Sequence, residues 1–213
     1  MMKPKRIALL LILGLALLSG CRQPINNKTE LKTNTTEIIT LLKSQRTQLE
    51  SINTAYEKLQ QQLPQAQKKS PNTNLLTDKN SRVYQLNQTA TTSYQTSQDN
   101  LKKLASINTR LKDTAAQKVS NLPNSAILKL NQSLHIIQLD HESLEKFMEA
   151  YQKDQTELFK SAPDLINDDS DELNVLISQS NQYLGAVSQE LEIYQVNLNS
   201  SLSRAEELLT AVK

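Results

Sequence analysis

IITLLKSQRTQLESINTAYEKLQQQL, residues 38–63, is the stretch on which the fold turns. Within it Ile38, Leu42, Gln45, Leu49, Ile52, Tyr56, Leu59 and Leu63 follow one another in steps of four and three without a break. Those steps return every residue to one face of an α-helix, whereas a strand would need steps of two. The stripe is narrow, as in a heptad seam, and cannot be buried without neighbouring helices. It is expected to stop at Pro64, with Gln65–Thr77 as a polar connection rich in turn formers.

Two further stretches repeat the pattern. Ile127, Leu130, Leu134, Ile137, His141, Leu144, Met148, Tyr151, Gln155, Leu158 and Ala162 form a seam opened by Pro123, with Asn121 or Ser120 to cap it, and ended by Pro163. Leu173, Ile177, Ser180, Leu184, Val187, Leu191, Tyr194, Leu198, Ser201, Ala205, Leu208 and Val212 form another. Asp169 with Glu172 makes an acidic capping box at its start, strengthened by Asp168 and Asp171 on the positive end of the helix dipole. Between the first seam and Ile127, residues 80–121 read as the weakest helix: Val83, Leu86, Ala90, Tyr94, Leu101, Leu104, Leu111 and Leu122 fit, but Ser and Thr crowd residues 89–97. The short connections at 122–124 and 163–168 force the second, third and fourth helices to fold back on one another, whereas the connection after the first helix is long enough for that helix to pack with them or to stand partly apart. The expected fold is therefore all-α, an elongated antiparallel helical bundle or coiled coil of three to four long helices, occupying residues 31–213.

Composition excludes several function classes. Of three glycines only Gly185 lies beyond residue 20, so glycine-rich phosphate loops are absent. Aromatic residues are 4% and tryptophan is missing, too little to line a solute pocket or to stack nucleic-acid bases. The single cysteine, Cys21, rules out an intramolecular disulfide. His135 and His141 stand six apart, off a common helix face, and the residues three before them are Gln132 and Gln138, so the Glu-x-x-His pairs of di-iron bundles are lacking. Asp168, Asp169, Asp171 and Glu172 lack the glycine and terminal glutamate of a calcium loop. No catalytic residue, metal or cofactor is expected, and no nucleic-acid partner.

The amino-terminal segment speaks to location. Lys3, Lys5 and Arg6 precede an apolar run, Ile7–Leu18, interrupted only by Gly14. About a dozen apolar residues suit a secretory signal and fall short of the about 20 that span a bilayer. The run ends in Leu18-Ser19-Gly20-Cys21, which resembles the lipobox of bacterial lipoproteins. The resemblance implies cleavage between Gly20 and Cys21 and a diacylglycerol thioether on the Cys21 sulfur. Residues 1–20 are then a signal peptide, 21–30 a flexible tether, and the mature chain is anchored on the extracytoplasmic face of the cell membrane. The released fragment ending Leu15–Gly20 is also similar to lipoprotein-derived peptide pheromones.

Charge is distributed unevenly. Residues 21–130 carry sixteen Lys and Arg against seven Asp and Glu, and the remainder carries five against fifteen. Such halves attract in an antiparallel bundle and select which helices become neighbours. Alternatively Lys68, Lys69, Lys102, Lys103, Arg110 and Lys112 face anionic lipid or anionic wall polymer.

Taken with the lipobox, the segment Tyr151-Gln152-Lys153-Asp154, the short acidic break after it and Asn181-Gln182-Tyr183 in a Leu-rich frame, the chain resembles the YkyA-like family of cell-wall-binding lipoproteins of Gram-positive bacteria. That resemblance implies an anchored, largely helical protein assigned to wall binding, with no catalytic residues to carry over. The expected function is a non-enzymatic envelope protein that contacts the wall or its anionic polymers. The alternative is a helical scaffold or accessory subunit for another membrane protein.

Overall fold

The computed structural model describes residues 27–70, 72–117, 119–165 and 170–212, and among them all regular structure is helical. There are four long helices: α1 (Asn27–Lys69), α2 (Arg82–Ala116), α3 (Asn124–Leu165) and α4 (Ser170–Ala211). Each helix packs on the next in the chain, and α4 closes the ring on α1. Cross-helix pairs fix the directions: Ser51 meets Ser93 and Ser44 meets Asn100, while Asp154 meets Gln179 and Asp140 meets Asn197. One number falls as its partner rises, so neighbours are antiparallel and the architecture is an up-down-up-down bundle. The α1–α2 and α3–α4 hairpins are the closely packed units, and the α2–α3 seam is the thinnest.

The core sits where the seams converge. All eight seam residues from Ile38 to Leu63 are buried, as are all eleven from Ile127 to Ala162 and all twelve from Leu173 to Val212. These residues form one core cluster drawn from all four helices. In α2 the buried row differs from the expected one. Val83, Leu86, Ala90, Ser93, Ser97, Asn100, Leu104, Ile107 and Leu111 keep strict three and four steps, and Tyr94 and Leu101 lie beside that row, only partly buried. Small Ser93 and Ser97 leave room for the bulk that α1 and α4 bring to this level, which a leucine there would overfill.

Helix ends depart from the expected ones in several places. α1 begins at Asn27, so residues 27–30 of the expected tether are helical, while Cys21–Asn26, like the whole signal segment, lie outside the described residues. α1 also runs through Pro64 to Lys69. A proline inside a helix loses one backbone hydrogen bond, and the burial of Leu63 and Gln67 on either side of it offsets that loss. α3 likewise passes Pro163 and ends at Leu165. Pro123 precedes the first residue of α3, its carbonyl accepting from the Ile127 amide at 3.1 Å, so it stands one place earlier than expected. α2 stops at Ala116, five residues short of the expected end, and a turn through Leu122 replaces its last stretch.

The loop between α1 and α2 is tied down. Asn74 and Asp78 side chains accept from the amides of Leu76 and Asn80, each at 3.0 Å, which makes two successive Asx turns. Ser81 caps α2 by accepting from the Tyr84 amide at 2.9 Å, and its hydroxyl donates to the Leu75 carbonyl at 2.6 Å. That clamp buries the Leu75 side chain in the end of the bundle.

Candidate functional site

Three features stand apart from a plain apolar bundle: a polar layer at mid-height, the basic residues of α1 and α2, and an apolar groove on the outside of α3 and α4.

The polar layer is built from one residue or two per helix. Gln45 of α1 donates through Nε2 to Ser97 Oγ of α2 at 2.6 Å and to the Tyr194 hydroxyl of α4 at 2.7 Å. His141 of α3 completes it, stacked on Tyr94 with ring centroids 5.6 Å apart and edge-on to Tyr194 at 6.2 Å. The Gln45 Oε1 and His141 Nδ1 atoms are buried without a hydrogen-bond partner. Burial pushes the imidazole down to about 4, against the opposing pull of Glu142, so His141 is neutral at pH 7. Burial likewise pushes the Tyr94 phenol up to about 12. His141 also borders a cleft of about 300 Å³ in the α2–α3 seam, floored by Leu101, Leu104, Leu134 and Ile137. The other histidine, His135, is exposed. Among the described residues no group of three or more His, Cys, Asp and Glu is placed to hold a metal ion.

The six candidate basic residues are all exposed, and the fold does not gather them. Lys68 and Lys69 lie in the last turn of α1. Arg110 lies 28 residues into α2, about 40 Å back along the rod from that end. Lys103 and Arg110, seven apart, share a helix face, while Lys102 and Lys112 point elsewhere. Two of the six are engaged: Lys102 pairs with Asp99 at 3.5 Å and Arg110 with Glu37 at 3.9 Å. What persists is a broad charge difference between the two hairpins. The ion pair from Lys43 to Glu206, at 3.7 Å, crosses it. Cys21 and Gly20, the expected lipidation and cleavage residues, lie outside the described residues, as do Asp168 and Asp169. Asp171 and Glu172 occupy the first turn of α4, where the helix dipole favours acids.

The third feature lies outside the sequence expectations. Among the described residues, every exposed large apolar side chain lies on α3 or α4: Leu128, Ile136, Leu139 and Phe147 on the first, Val175, Ile193 and Val196 on the second. Val196 is 69% exposed and Val175 63%, so these are fully presented and not seam residues slipping outward. Phe147, Ala150, Val175, Tyr183 and Ala186 line an open groove of about 870 Å³ between the two helices. A second three and four spacing, Ile136, Leu139, Ser143, Phe147, Ala150 on α3 and Val175, Gln179, Gln182, Ala186, Gln189, Ile193, Val196 on α4, was the signal that could have found it. No described helix is long and apolar enough to cross a membrane. Comparison of the chain with family models, with curated proteins and with solved structures finds no match.

Proposed function

We propose that this chain is a lipid-anchored, extracytoplasmic, non-enzymatic rod that serves as a helical scaffold or accessory subunit for another envelope protein. The observation that carries the reading is the confinement of exposed large apolar residues to the outer face of α3 and α4. Exposed apolar side chains gathered on one face of a molecule mark interaction sites. The start of α1, the α2–α3 turn and the end of α4 share one end of the bundle. A lipid on Cys21, six residues before α1, holds that end near the bilayer and sets the 70–81 loop about 60 Å out.

The test is in-cell photocrosslinking from Leu139 and Val196, with Thr91 of α2 as the control position. One stoichiometric protein partner captured from the α3–α4 positions and not from Thr91 supports the scaffold. A smear of wall fragments from all three positions overturns it. A Cys21→Ser substitution is expected to move the protein from the membrane to the soluble fraction.

The charge excess of the first hairpin favours a second reading, contact with anionic wall polymer, which is also what the resemblance to the YkyA-like lipoproteins implies. Substituting Lys68, Lys69, Lys102, Lys103, Arg110 and Lys112 with Gln is expected to abolish salt-sensitive retention on sacculi. Unchanged retention would sink that reading.

A further inference from the structure

We infer that the cleft between α2 and α3 binds a small uncharged molecule of two fused rings carrying one hydroxyl, with His141 as its hydrogen-bonding partner. The site is separate from the outer face of α3 and α4 and stands independently of the scaffold reading. Two polar bridges frame it. Gln98 of α2 donates to Glu145 of α3 at 3.3 Å, and Asn131 of α3 donates to Asn108 of α2 at 2.7 Å. Ten residues of α2, about 15 Å, separate the bridges, and between them the seam opens over an apolar floor of Leu101, Leu104, Leu134 and Ile137.

His141 is the side chain that the protein leaves to a ligand. The other polar residues of the cleft wall are engaged: beyond the two bridges, Gln138 donates to Glu142 at 3.3 Å and Lys102 pairs with Asp99 at 3.5 Å. His141 is 9% exposed and held by ring contacts to Tyr94 and Tyr194, and its Nδ1 has no hydrogen-bond partner. A buried polar group in that state costs free energy, so the imidazole enters the cleft wall with hydrogen-bonding capacity unused. The ring is neutral at pH 7, with one nitrogen that donates and one that accepts. A hydroxyl does both and suits either tautomer.

The walls set the size and charge of the ligand. A dry cavity of about 150 Å³ takes one benzene, so this cleft of about 300 Å³ suits two fused rings. A charged group would lose its water over the leucine floor, which disfavours ions. The floor is aliphatic and the cleft small, so it escapes the shortage of aromatic residues that argues against a larger solute pocket.

The test is equilibrium dialysis of 2-naphthol and naphthalene against the full chain held in lipid nanodiscs, with empty nanodiscs giving the uptake by lipid alone. The two probes share a ring system and differ by the hydroxyl. Without a partner the hydroxyl loses hydration for nothing, and naphthalene binds tighter. With His141 as partner the order reverses, and 2-naphthol is expected to bind about five-fold tighter. His141→Phe should restore the naphthalene preference while leaving naphthalene affinity within about two-fold. Ala105→Leu, at an exposed position of the cleft wall that no core contact needs, should weaken both probes about ten-fold by filling the space. Tighter binding of naphthalene to the unaltered chain overturns the inference, as does failure of both probes to bind. Equal weakening of both by His141→Phe shows that the ring only shapes the cleft, and overturns the hydrogen bond. Binding that ignores Ala105→Leu lies elsewhere on the molecule and overturns the site.

Discussion

The layer at Gln45 and the layer at Tyr56 lie eleven residues apart on α1, about 16 Å along the rod, and fill similar volume with opposite chemistry. At Tyr56 two rings meet edge to face at 5.1 Å across the diagonal of the bundle, with the Tyr56 hydroxyl donating to Met148 Sδ at 3.2 Å and the Gln155 amide donating to the Tyr151 hydroxyl. At Gln45 one amide serves a serine and a tyrosine on two different helices, and an imidazole fills the remaining corner. The aromatic layer stabilises by burial and tolerates small shifts of one helix past another. The polar layer tolerates none, because a slide of one heptad step would set Leu42 or Leu49 against the Ser97 and Tyr194 hydroxyls. One layer holds the bundle together, and the other sets which residues face which.

Breaking the aromatic layer should have the largest effect. Tyr151→Ala leaves a cavity against Tyr56 and is expected to cost about 4 kcal/mol in urea unfolding at an unchanged slope. In the polar layer, Gln45→Leu keeps the volume but strands two buried hydroxyls, an expected loss of about 2–3 kcal/mol. Adding Ser97→Ala should return part of it, and a double-mutant cycle showing strict additivity would remove the case for a shared network.

Acid provides a sharper separation of the two layers. An unfolded imidazole titrates near 6.5, whereas burial holds His141 near 4. Between those values the unfolded chain binds a proton that the folded chain refuses, so stability is full above about pH 6.5 and falls as pH drops toward 4. With screening through the open α2–α3 cleft the expected loss is about 2 kcal/mol. Asp140 and Asp154, raised by burial against the lowering effect of their hydrogen bonds, oppose it at the acidic end, where their protonation relieves a penalty of the folded state. His141→Phe should flatten the thermal midpoint over this window, and an unaltered acid limb would exclude the imidazole as its source. The smallest effect belongs to the surface: Lys43→Ala removes the exposed pair with Glu206 and should cost about 0.5 kcal/mol or less.

Legibility varied with how far burial depends on a residue's own chemistry. Three seams could be read directly because Leu, Ile, Val and Tyr recur at heptad spacing and have no other reason to. The α2 seam was misplaced by one position at Tyr94 and Leu101, since nothing local marks Ser93, Ser97 and Asn100 as buried. They are buried because Ser51, Gln45 and Ser44 on α1 offer them partners. The candidate site was less legible still. Ile136 and Ile137 are adjacent and identical, yet one is 42% exposed and the other fully buried. Only the rotation of α3 against its neighbours separates the exposed row from the core row. The six basic residues illustrate the converse, a cluster in composition that the helix axis spreads along some 40 Å.

By itself the amino-acid sequence determined the class, three to four long helices, the core row of three of them and the antiparallel order of those joined by short connections, because periodicity and short connections are local properties of a chain. Tertiary structure alone decided which polar side chains are buried together, which of two neighbouring apolar rows turns to solvent, and that charges near in count lie far apart in space. Those outcomes depend on the relative rotation and register of helices distant in the chain, and no single helix carries that information.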